Sequence, residues 1–108
     1  MPDYGGSENF TVQHVLNIMN DNVSSIEDVN TNGANSRLIP VPQTQEKVNK
    51  TMRILVGSLE AMLAWNGKDG DGNDLPPNTQ PDVAGYSGDK SSYTDAITLG
   101  NTYITNNS

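Results

Sequence analysis

The chain has 108 residues, a net charge of −7 and a pI near 4.3. Its six lysines and arginines, set against thirteen acids, exclude the clustered cations that bind phosphate backbones or anionic membranes. The lack of cysteine excludes a disulfide scaffold and cysteine-ligated zinc. Hydrophobic residues are only 33% and aromatics 6%, in a chain whose small size already limits how much surface it can bury. Part of its apolar surface is therefore expected to lie against other copies or a partner.

Residues 1–10 read as an N-terminal arm. Met1-Pro2-Asp3-Tyr4-Gly5-Gly6 has neither the basic nor the apolar region of a signal peptide, so no cleaved leader is expected there. Ser7 or Thr11 is placed to cap a helix running from about Thr11 to Val29. Asn30 to Ser36 is a turn cluster rich in residues that tolerate helix-ending conformations. Leu38-Ile39-Pro40-Val41-Pro42 follows; its prolines predict an extended strap along an apolar surface. A second helix is predicted from about Gln43 to Trp65, with Pro42 near its first turn and Asn66-Gly67 as its stop. Gly57 falls on its outward side.

Both helices carry apolar residues at alternating spacings of four and three. The first has Val12, Leu16, Met19, Val23 and Ile26; the second has Val48, Met52, Leu55, Leu59 and Met62. That is the seam of helices packed side by side. The first helix ends in acids (Asp21, Glu27, Asp28) and the second begins with bases (Lys47, Lys50, Arg53), which predicts an antiparallel hairpin. Val15, Ile18 and Val29 widen the first face, and Val56 and Leu63 flank the second seam. Apolar flanks suit three or more helices around one core. The ten seam residues are therefore expected to form an oligomer interface, in a trimer or a dimer of hairpins.

Residues 67–88 are rich in glycine, aspartate, asparagine and proline, and predict a linker. A short helix is expected from Ser91 to about Leu99, stopped by Gly100. The alternating end, Asn101 to Asn106, predicts a strand that adds to a neighbour's sheet edge. Tyr93, Ala96, Ile97, Tyr103 and Ile104 are the expected docking residues of this tail. The domain plan is thus an arm (1–10), a two-helix oligomerisation module (11–66) and an acidic linker with a docking tail (67–108). The fold class is mainly α, with irregular ends.

No catalytic constellation is evident. His14 is the single histidine, and no oriented triad or nucleophile elbow surrounds it. Asp69-x-Asp71-x-Asn73 has the opening spacing of a calcium loop. Asp74 stands where that loop needs glycine, and Gln80 where it needs a bidentate glutamate. An ordinary acidic turn is the expectation. No enzyme activity, cofactor, metal, nucleic acid or membrane partner is expected.

Two resemblances bear on function. Trp65-Asn66-Gly67 is similar to the W-x-G tripeptide of the WXG100 family of small secreted helical hairpins. There the tripeptide joins two long helices; here it follows the second. Lys90-Ser91-Ser92-Tyr93-Thr94-Asp95-Ala96-Ile97-Thr98-Leu99-Gly100 resembles a short module, roughly K-S-A-Y-x-x-A-V-x-x-G, of bacteriophage fibre and tail proteins. Lys90, Ser91, Tyr93, Ala96 and Gly100 match it, and Ser92 and Ile97 replace small and branched residues in kind. The resemblance spans about a tenth of the chain and implies a structural connector. The resulting expectation is a self-associating virion protein: a phage head-fibre, decoration or tail-attachment subunit that docks on a capsid or tail protein. The alternatives are a WXG100-like effector or partner, and a calcium-dependent adhesion module.

Overall fold

Thr11 begins the first helix. Its side-chain oxygen accepts the His14 backbone N–H at 3.2 Å, satisfying one of the donors that a helix start leaves without a partner. The computed structural model describes residues 11–76 and 80–108, so the N-terminal arm lies outside the described residues. Helix α1 spans Val12–Asn32, three residues further than the sequence predicts. Gly33 ends it at φ 54°, with its N–H bonded to the Val29 carbonyl, and a short 3₁₀ turn (Gly33–Asn35) follows.

Helix α2 spans Gln45–Leu63. Thr44 is its cap and accepts the Lys47 N–H at 3.3 Å, so Pro42 lies before the helix and not in its first turn. At the other end the Ala64 and Trp65 N–H groups reach back three residues to the Ala61 and Met62 carbonyls. This tighter turn closes the helix before Trp65.

Helix α3 spans Ser91–Asn107 and corrects the expected tail. Gly100 does not stop it, and residues 101–106 are helical, not a strand. Tyr93, Ala96, Ile97, Gly100, Tyr103 and Ile104 recur every three or four residues on its covered face, with partly buried Leu99 at the edge. Two-residue alternation over six residues loses to this longer helical register, because helix packing covers the whole face. Among the described residues there is no strand; two isolated bridges join Asn66 to Asp82 and Lys68 to Asp74.

The three helices pack on one another. The Tyr93 hydroxyl near the start of α3 bonds Asn20 in α1, while Tyr103 near its end approaches Gly33 after α1. Gln45 and Asn49, at the start of α2, bond Tyr103 and Asn107, at the end of α3. So α1 and α3 run parallel and α2 runs antiparallel to both. The core combines Val15, Leu16, Met19, Ile26 and Val29 of α1 with Val48, Met52, Val56, Leu59 and Met62 of α2, and Tyr93 and Ala96 of α3. Each large apolar side chain so buried is worth about 1.5–3 kcal/mol relative to leaving it in water.

Ile39 and Val83 enter the same core from the two connections. Ile39 makes the proline-rich segment a strap, with Leu38 and Val41 left outside. Val83 pins the glycine-rich connection, and the Ala84 N–H donates to the Trp65 carbonyl at 2.7 Å. The stretch expected to be a plain linker is therefore tied back at Val83 and Ala84.

Candidate interaction surface

The seam residues go inward. Leu16, Met19, Ile26, Val48, Met52, Leu59 and Met62 are buried; Val12, Val23 and Leu55 are partly buried against them. They meet one another and α3 within a single chain, because α3 supplies the apolar surface expected from another copy. The expected docking residues are drawn in as well. Tyr93 and Ala96 are buried, and Ile97, Tyr103 and Ile104 pack on the same core. Burial pushes the Tyr93 phenol above its usual range, with a smaller push from Tyr86. Its hydroxyl donates to Asn20 Oδ1 at 2.8 Å.

A small polar network closes the α2–α3 end. Buried Asn49 donates to the Asn107 carbonyl at 3.0 Å and accepts from Gln45 Nε2 at 2.9 Å. Gln45 Nε2 also lies 3.1 Å from the Tyr103 hydroxyl. Among the described residues no buried side-chain polar atom lacks a partner.

The helix-end charges do not pair across the bundle. Among the described residues the salt bridge is Lys68–Asp74, within one loop. Asp28 instead accepts from Asn32 and Ser36, which hold the turn after α1. Asp21 on α1 and Lys47, Lys50 and Arg53 on α2 thus form no ion pair there.

The acidic loop is organised around its own backbone. Asp69 Oδ1 accepts the N–H groups of Asp71 and Asn73, each at 2.9 Å. The backbone bond from Asn73 is the main cause that lowers the Asp69 carboxyl below its usual range. Lys68 lowers Asp74 in the same direction, and Asp74 raises Lys68. Among the described residues no group of three His, Cys, Asp or Glu is placed to hold a metal ion. His14 is exposed on α1. No helix among them is long and apolar enough to cross a membrane.

Trp65 is half-buried where α2 ends, and Gly67, at φ 70°, turns the chain after it. The Trp65-Asn66-Gly67 tripeptide thus opens the connection from α2 to α3; the connection from α1 to α2 is residues 33–44.

What remains outside is the outer face of α1 and α2. Ile18 is 40% exposed and Ile54 58%. An open groove between the helices is lined by Ile18, Asn22, Ser58, Ala61, Met62 and Trp65. The sequence places Ile18 at the flank of the first seam and Met62 within the second, but Ile54 stands off the four-three register and so carries no expectation. The available signal was Ile54, an isoleucine flanked by Arg53 and outside the seam. Comparison with known proteins adds no relative: no family model, curated protein or solved structure matches the chain.

Proposed function

We propose that this chain is a non-enzymatic structural subunit of a phage particle, of the head-fibre, decoration or tail-attachment kind, which associates with itself and docks on a larger particle protein. The observation that carries the reading is how the Lys90–Gly100 module is used. Tyr93, Ala96 and Gly100, three of the positions that match the phage module, are the three buried positions of α3. A connector module needs those residue types for packing, and no reactive group is involved. Because Tyr93, Ala96, Ile97, Tyr103 and Ile104 serve the core, docking on the particle is assigned to Leu38 and Val41. They project from the strap at 45% and 85% exposure, between Arg37 and Pro42. Exposed apolar residues on a proline-stiffened segment cost little entropy to order on a partner.

Particles banded by density from the producing cells test this. The chain is expected in the particle band at a fixed ratio to the capsid protein, as measured by mass spectrometry and immunogold labelling. Leu38→Glu with Val41→Glu should remove it from the band while leaving the helical circular dichroism unchanged. A chain found wholly outside the particles overturns the proposal.

A further inference from the structure

We infer that the outer face of α1 and α2 receives a second copy of this chain, helix against antiparallel helix, in a two-fold dimer. This builds on the self-association proposed above and gives it a surface. The seams are closed inside each chain, so a second copy must use side chains that the core leaves out.

Two apolar side chains mark that face. Ile18 and Ile54 are the exposed isoleucines of α1 and α2. Ser58 and Ala61 beside them are small enough to let a facing helix approach. Spacing then aligns charge with them. Asp21 and Asp28 follow Ile18 at three and ten residues, on one stripe of α1. Lys47 and Lys50 precede Ile54 at seven and four residues, on one stripe of α2.

A two-fold axis parallel to the helices sets each α1 against its partner's α2. Because α1 and α2 are antiparallel, the acidic half of α1 then faces the basic half of the opposite α2. None of these four charges is in a salt bridge within the chain, among the described residues. Asp28 keeps its hydrogen bonds from Asn32 and Ser36, but both donors are neutral, and complementary charges with no counter-charge at home select a partner and its orientation. The size is also sufficient. Two helices of 21 and 19 residues present a face about 28 Å long and about 20 Å wide. Doubled, that is about 1,100 Å² of buried surface, close to the roughly 1,000 Å² that a specific interface needs.

Sedimentation equilibrium of the full chain tests the dimer. The unmodified protein should sediment as a dimer at tens of micromolar, and its dissociation constant should rise with salt. Ile54→Asp should raise that constant at least about tenfold, with helicity unchanged because Ile54 is largely exposed. Ala61→Glu, also exposed, should do the same and serves if the first variant misfolds. Lys47→Glu with Lys50→Glu should weaken the dimer, whereas Thr98→Asp on the exposed side of α3 should not. A monomer at several hundred micromolar, or an oligomer that survives both Ile54→Asp and Ala61→Glu, overturns the inference. A dimer absent from phage particles overturns the functional reading alone; a monomer built into particles overturns this dimer and the self-association, and leaves the docking on the particle standing.

Discussion

Gly100 of α3 lies directly against the Val56 side chain of α2. A methyl group built at Gly100 would overlap Val56 and press on Met52 Sδ at 3.2 Å. The α3 backbone packs here directly on α2, and a side chain is what the site excludes. Gly57, on the outer side of α2, has nothing within 4 Å of such a methyl. Alanine is therefore expected to act with opposite signs at the two glycines. At Gly57 it should stabilise by up to about 1 kcal/mol through helix propensity. At Gly100 the same gain is outweighed by overpacking of about 1–3 kcal/mol, leaving a net loss. Urea unfolding followed by circular dichroism checks both; a stabilised Gly100→Ala would refute this packing.

The caps give a second expectation. Thr11→Ala and Thr44→Ala each remove the side-chain acceptor for a helix-start N–H. Each should cost about 1 kcal/mol, and serine at either position should restore most of it. Because the two caps sit on different helices, the double variant should lose close to the sum. Thermal unfolding of the unmodified chain, the two alanine variants, their double and the two serine variants is the measurement.

Removing α3 should unfold the chain. Truncation before Ser91 strips the Tyr93 and Ala96 packing from the core and takes the hydrogen-bond partners of Asn20 and Asn49. With α3 gone, the apolar faces of α1 and α2 that it covers open to water, and that lost burial is the main cost. With a marginal stability of about 5–15 kcal/mol to draw on, two helices alone are not expected to hold together. Circular dichroism and amide exchange of residues 11–90 would reveal whether α1 and α2 stay folded; a protected, cooperative two-helix fragment would contradict it.

The Asp69 turn responds to acid. Its carboxyl sits below the usual range, mainly because it accepts the Asn73 N–H. A carboxyl lowered in the folded state adds stability above its ordinary titration range and loses it as pH falls through the lowered value. The loop should therefore remain ordered at mildly acid pH and loosen only at strongly acid pH. NMR titration should show the Asp71 and Asn73 amides shifting together with the Asp69 carboxyl. Amides that titrate at the ordinary aspartate pH would rule out the Asn73 hydrogen bond as the cause.

How far the chain could be read before folding differs by element. Helices α1 and α2 were legible because their apolar residues repeat at helical spacing and Thr11 stands ready as a cap. Their ends were less so. Thr44, not Pro42, sets the start of α2, since a hydroxyl that accepts an N–H outweighs a proline that merely tolerates the missing one. The third helix was half legible. Tyr93, Ala96 and Ile97 announce it, but Gly100 reads locally as a stop, and Tyr103 and Ile104 read equally well as alternating strand residues.

Composition, periodicity and the lack of a reactive cluster by themselves determined a mainly helical chain with no visible chemistry. Which surfaces face one another was decided only in three dimensions. Glycine is a helix terminator in isolation and a contact residue where Val56 and Met52 require it, and no local rule distinguishes the two. The same holds for the seams. Four-three spacing states that an apolar face must be covered, and only the packing of α3 determines that this chain covers it from within. Ile18 and Ile54 are thereby left as the apolar residues on the outer face of α1 and α2, because three helices enclose one core and each keeps an outer side.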